Sequence, residues 1–147
     1  MRLITQLIFM TVLFISQANA AEHIISMKNQ GSDGFMVFEP AVLNVKVGDT
    51  VHFEPTDLGH NAESVDGLIP KGASAWKGVL SKKVSVVIDK EGVYVYQCAP
   101  HLALAMVGVI VADKPSNLAT IKAQSASLNA KFATNKDRLN KYLSQVK

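Results

Sequence analysis

Between Glu22 and Ala112 the chain is a succession of short runs rich in β-branched and aromatic residues, each cut off by turn formers, and this limits the folds open to it. His23 to Lys28, Phe35 to Phe38, Val42 to Val47, Thr50 to Phe53, Lys83 to Ile88, Val93 to Gln97 and Met106 to Val111 read as strands. Gly31-Ser32-Asp33-Gly34, Glu39-Pro40, Gly48-Asp49, Pro55-Thr56-Asp57 and Glu91-Gly92 punctuate them. No stretch between these runs is long and periodic enough for a helical crossover, so parallel βαβ architecture is unsuited and an antiparallel sandwich is expected. Alternation sets the faces: Val51 and Phe53 point inward, leaving Thr50 and His52 at the surface, and His23, opening the first strand, is expected in solvent. In the long connection from Gly59 to Lys82, Trp76 is expected to pack the loop down.

After Ala112 the pattern changes. Asp113 or Ser116 is a candidate helix cap with Pro115 in the first turn. Leu118, Ile121, Ser125, Leu128 and Phe132 then fall on one stripe, followed by Leu139 and Leu143. One or two amphipathic helices over residues 114–147 should pack on the sandwich, with Lys122, Lys131, Lys136, Arg138, Lys141 and Lys147 facing solvent. Up to Asp113 the chain beyond Arg2 holds seven basic and eleven acidic residues, a net −4; the remainder holds seven and one, a net +6. The tail's charges are spaced singly, which suits a solvated helix face better than a nucleic-acid surface.

Residues 1–20 have the form of a secretory signal peptide: Arg2 as the only charge, an apolar run from Leu7 to Ile15, and Ala18-Asn19-Ala20 as a cleavage site. The exported chain would comprise residues 21–147, a sandwich over 21–113 and the helical extension over 114–147, without a membrane span. The apolar run is shorter than the roughly 20 residues a span needs. That places the protein in the periplasm.

Cys98 is the only cysteine, and a free thiol in an oxidising compartment needs something to occupy it. His101 and Met106 follow it in Cys-x2-His-x4-Met spacing, between the last two strands. Thiolate, imidazole and thioether form a soft, mixed donor set suited to copper in both oxidation states. A fourth donor must come from elsewhere, and His60, in the loop after Thr50 to Phe53, can meet this loop at one end of a sandwich. His60, Cys98 and His101 as a trigonal set with Met106 as a long axial ligand is the blue-copper arrangement.

With these residues the chain resembles the cupredoxins, and the pseudoazurins among them. The resemblance is carried by Gly34-Phe35-Met36-Val37-Phe38-Glu39-Pro40, Gly48-Asp49-Thr50-Val51, Gly59-His60-Asn61-Ala62-Glu63-Ser64, Cys98-Ala99-Pro100-His101 and Met106. It implies an all-β Greek-key sandwich with a C-terminal extension of one or two α-helices, and a monomeric one-electron carrier, not an enzyme, with one copper per chain. Partners implied by the family are a copper nitrite reductase of denitrification and a c-type cytochrome. It further implies that the Asn61 side chain ties the two ligand loops together while its backbone amide bonds the cysteine sulfur. Met36 would pack near the exposed histidine, and Pro100 would stiffen the loop and remove a donor near the sulfur.

From Gly92 to Ala112 there is no Asp, Glu, Lys or Arg, so Ala99, Pro100, Leu102, Leu104 and Ala105 are expected to form an apolar docking patch around His101. Family members often ring that patch with lysines; here the matching positions are Gln30, Leu58 and Gln97, with only Lys77 basic. Electrostatic steering should therefore be weak. The alternative is a copper-binding chaperone or storage protein on the same fold, for which Met27, Met36 and Met106 are few methionines.

Overall fold

The computed structural model describes residues 20–147. The expected signal peptide lies outside the described residues except for Ala20, which is exposed. Eight strands form two four-stranded sheets. One sheet has the order β2 (Gly34–Glu39), β1 (Glu22–Gly31), β4 (Thr50–Pro55), β6 (Val84–Val87). The other has the order β3 (Val42–Val45), β8 (Val107–Ala112), β7 (Gly92–Gln97), β5 (Glu63–Ser64). All seven expected strands are present.

The purely antiparallel expectation is corrected. β1 runs parallel to β4, pairing Ile25 with Phe53, and β3 runs parallel to β8, pairing Val42 with Val109. These pairs arise without helical crossovers because the intervening chain crosses from one sheet to the other, as a Greek-key sandwich allows. β5 was not legible in the sequence: its two residues carry no strand-forming side chain, and it exists because Glu63 and Ser64 pair with Gln97 and Tyr96.

The two faces of the second sheet explain the unbroken apolar character of β7 and β8. Tyr94, Tyr96 and Ile110 point between the sheets and pack with Phe38, Phe53, Val51, Ile25 and Met27. Val93, Val95, Val107 and Val109 point the other way and pack with Ile121, Leu128, Phe132, Leu139 and Leu143. A strand covered on both faces loses the polar alternation of a half-exposed one. Trp76 stacks on Phe53 at 5.8 Å between ring centroids and holds the long connection down, as expected.

The extension forms α1 (Leu118–Gln124), α2 (Ala126–Asn129) and α3 (Arg138–Leu143). The expected stripe faces inward, half-buried at Leu118 and buried from Ile121 to Leu143, with Tyr142 added to it. Neither Asp113 nor Ser116 caps α1; Asn117 occupies that position, and its side chain instead bonds both backbone groups of Val93. Arg138 is a second correction. Instead of facing solvent it is buried, because its guanidinium reaches five main-chain carbonyls: those of Asp33, Phe35, Met36, Leu104 and Ala105.

Candidate metal centre

His60 leaves β4 through a turn at Gly59, whose φ of +90° lies in the left-handed region that glycine tolerates. The Ser81 hydroxyl accepts from the Gly59 N–H at 2.8 Å, and the Ser81 N–H donates to the His60 carbonyl at 2.7 Å. With its ring fully buried, His60 donates from Nε2 to Asn29 Oδ1 at 2.9 Å. An amide oxygen can only accept, so this bond puts the proton on Nε2 and leaves the Nδ1 lone pair free.

Cys98 follows directly on β7, and the chain then turns through a 3₁₀ segment, Ala99–Leu104, with Pro100 in its first turn. Ala105 closes it at φ +57°, donating to Leu102. Cys98 N–H donates to the Met106 carbonyl at 2.9 Å and Met106 N–H to that of His101 at 3.3 Å, so the loop is bonded to itself. Met106 stays outside β8, fully buried beside Cys98 in the core between the sheets.

These two loops bring three donor atoms together. His60 Nδ1 and His101 Nδ1 lie 3.1 Å apart, and Cys98 Sγ lies 3.4 Å from His101 Nδ1 and 3.8 Å from His60 Nδ1. Among the described residues this is the one cluster of three or more such side chains. Each edge of the triangle is shorter than twice the roughly 2.0–2.3 Å of a metal–nitrogen or metal–sulfur bond, so one ion can touch all three atoms. Burial lowers the pKa of His60, helped by the neighbouring His101, so the imidazole stays neutral and its lone pair available. Burial pushes the Cys98 thiol up, against backbone N–H groups of Asn61 and His101 that pull it down. A buried thiol held protonated by desolvation becomes a thiolate when a cation supplies the compensating charge. Two imidazoles, one thiol and an adjacent thioether fit copper.

Asn61 joins the two loops: its Oδ1 accepts from the Ala99 N–H at 2.8 Å, while its Nδ2 donates to the Gly78 carbonyl at 3.2 Å. Met36, at φ +50°, packs half-buried against the core group that contains Cys98 and Met106. Two residues beside the site escaped the sequence reading. Asn29, which orients His60, carries a weak signal, since Asn is uncommon within strands. Arg138 carries none, because nothing in a singly spaced basic tail separates a buried arginine from a solvated one.

The surface around the half-buried His101 is apolar. Ala99, Pro100 and Ala103 are exposed and Leu102 is half-buried, but Ala105 is fully buried and drops out of the expected patch. Phe35, 66 % exposed, joins it: its carbonyl and that of Leu104 meet on the same Arg138 nitrogen. Leu58, two residues before His60, is 76 % exposed. Gln97 bonds Glu63 through its Nε2 at 2.9 Å.

Residues 25–113 match the family described as copper binding proteins, plastocyanin/azurin family. The chain is 45 % identical to a pseudoazurin of Methylorubrum extorquens over 107 residues, covering 72 % of each chain. It is 34 % identical to a pseudoazurin of Paracoccus pantotrophus over 128 residues, covering 86 % of this chain and 85 % of the relative. The crystal structure of native pseudoazurin from Hyphomicrobium denitrificans superposes with a TM-score of 0.78 at 42 % identity, covering 86 % of this chain and 99 % of that one.

Proposed function

Because the chain belongs to the plastocyanin/azurin family of copper-binding proteins and, within it, to the pseudoazurins, we propose that it shuttles single electrons in the periplasm. Its cofactor is copper, and it is a type 1 copper electron carrier of the cupredoxin fold. The observation that carries the finer reading is the convergence of His60 Nδ1, His101 Nδ1 and Cys98 Sγ from two loops at one end of the sandwich. These three would hold the ion, with the Met106 thioether as the fourth donor. Bound copper supplies a one-electron couple between its cupric and cuprous forms.

The rest is the work of the protein's own residues. Asn29 fixes the His60 tautomer, and Asn61 locks the Cys98 loop to the His60 loop. Pro100 stiffens the 3₁₀ turn, and Met36 packs beside the site. Ligands preset by such contacts need little rearrangement when the charge at the centre changes, which favours fast transfer. His60 and Cys98 are sealed from water and His101 is the partly exposed member of the three, so His101 offers the route by which an electron would enter or leave, as suits a carrier and not an enzyme.

The apolar surface of Ala99, Pro100, Leu102, Leu104, Phe35 and Leu58 serves as the docking face for transient partners of a monomer, a copper nitrite reductase and a c-type cytochrome. Residues 1–20 direct export and are removed by cleavage after Ala20. The test is the visible spectrum of the copper-loaded, oxidised protein: an intense thiolate-to-copper band is expected, and Cys98→Ala should abolish it. A copper-loaded, oxidised protein without colour would refute the assignment.

A further inference from the structure

We infer that cleavage after Ala20 creates a second metal site, at the far end of β1, that takes Cu(II) or Ni(II) in a square plane of four nitrogens. Its donors are the Ala21 α-amine, the main-chain nitrogens of Glu22 and His23, and Nδ1 of His23. The site rests on the proposed removal of residues 1–20.

The chemistry depends on position. When a histidine stands third from a free amine, the amine, the two intervening amide nitrogens and the imidazole Nδ1 close fused five-, five- and six-membered chelate rings around one ion. Cu(II) and Ni(II) favour square-planar nitrogen ligation, and copper stands highest among the divalent ions for such donors. Neither Glu22 nor His23 is proline, so both amides can release a proton. Binding releases those two protons, and one more from the amine when it is protonated, with no electron transferred.

Three features of the structure prepare the site. His23 Nε2 lies 2.8 Å from Asp49 Oδ2, and a carboxylate accepts, so the proton sits on Nε2 and the Nδ1 lone pair is the one available. A carboxylate behind a ligating imidazole is also the usual arrangement for orienting it. Second, the Ala21 nitrogen donates to the other oxygen of Asp49 at 2.9 Å, so one carboxylate already gathers both ends of the chelate. Third, Ala20, Ala21 and Glu22 are exposed, and the first fully buried side chain of β1 is Ile25.

Little has to yield. Thr50 N–H donates to the Ala21 carbonyl at 2.9 Å, and Glu22 and His23 pair with Thr50 and Val51. Those last rungs must part for the main-chain nitrogens to turn towards the ion, but no apolar side chain leaves the core. His23, expected only to be solvated, thereby gains a role. The site is independent of the first one: Asn29, which touches His60, lies six residues further along β1, about 20 Å at the ~3.3 Å rise of a strand. Four nitrogens in a plane suit cupric and not cuprous copper, so this end of the molecule holds oxidised copper without joining the redox cycle.

The test uses the exported protein with its first site filled by Cu(I), kept reduced, and titrated with Ni(II). Intact mass establishes the N-terminus. A chain beginning at Ala21 should take one equivalent of Ni(II) in a diamagnetic, square-planar form with its visible d–d band. His23→Gln, or one alanine inserted before Ala21, should abolish that signal while the thiolate-to-copper band of the reoxidised protein stays unchanged. Absence of the nickel band in a chain shown to begin at Ala21, or its persistence in His23→Gln, overturns the site alone. A mass placing the N-terminus elsewhere overturns the cleavage assignment, and the site with it.

Discussion

Arg138→Met should cost about 3–5 kcal/mol and disturb the copper spectrum, although residue 138 is 32 positions beyond Met106, the last of the proposed ligands. The arginine side chain is 5 % exposed. Its Nη1 faces the carbonyls of Phe35, Met36, Leu104 and Ala105 at 3.0–3.3 Å, and Nη2 that of Asp33 at 3.2 Å. Nη1 has only two hydrogens, so its four contacts amount to about two full bonds, and the Nη2 contact makes a third. Charge-assisted bonds contribute about 1.5–3 kcal/mol each, and carbonyls left buried lose their desolvation energy besides. Partial rehydration at the rim brings the sum down to the value given, the range seen when one half of a buried polar contact is removed. Met36 and Ala105 both sit at positive φ, a conformation that costs L-residues about 1–2 kcal/mol and that the guanidinium holds from outside. Methionine keeps the packing of the stem, so the loss isolates the head group. Urea unfolding of copper-free protein measures the stability. The charge-transfer spectrum of the loaded protein measures movement beside Met106. A loss below about 1 kcal/mol, or an Arg138→Lys variant as stable as the parent, would refute the reasoning, since one ammonium cannot span the carbonyls a planar fork reaches.

A methyl group added at Gly108 would lie 2.2 Å from the hydroxyl oxygen of the fully buried Tyr96, so Gly108→Ala should lose at least about 1–3 kcal/mol by overpacking. Tyr96→Phe removes a buried hydroxyl that has no hydrogen-bond partner among the described residues. It should stabilise by about 1 kcal/mol and relieve part of the Gly108→Ala loss in a double-mutant cycle, whereas strict additivity would sink the clash argument. The Glu39 carboxyl is held at about 2 by Lys28 and Ser32, and that of Asp49 at about 2 by the Lys46 N–H, His23 and the Ala21 N–H. Both lie below their ordinary 4.5 and 3.8, so the stability they bring is complete above that range and is lost as pH falls towards 2. Unfolding midpoints measured from pH 5 to about 2 should fall, and less steeply in Asp49→Asn; parallel curves would be the contrary result. Association with a nitrite reductase or c-type cytochrome should depend only shallowly on salt, because Gln30, Leu58 and Gln97 stand where related proteins often carry lysines. Replacing all three with lysine should steepen the dependence for an acidic partner, and stopped-flow rates against ionic strength decide it.

Much of the molecule was readable from residue order alone, for local reasons. The seven strands are visible because β-branched runs and turn formers act within a few residues of themselves. The buried stripe of the helices is visible because a 3.6-residue period repeats it from Ile121 to Phe132. Cys98, His101 and Met106 could be grouped from spacing because they share one loop, and His60 could be added because a single exported thiol calls for a partner ion.

What residue order could not supply depends on contacts between distant segments. The parallel pairing of β1 with β4 follows from how the sheets are stacked, and β5 from the presence of a β7 edge beside it. Arg138 reads as a solvated charge until the fold sets five carbonyls around it, and Ala105 reads as surface until α3 packs over it. The same holds for Asn29, which becomes the partner of His60 only once strand β1 passes behind it. Residue order therefore determined the chemistry of the donors and the kind of fold that could assemble them. The tertiary structure alone decided which groups orient those donors, because hydrogen bonds and burial depend on which atoms meet in space, and those atoms lie 31 and 103 residues apart for the bonds of Asn29 and Arg138.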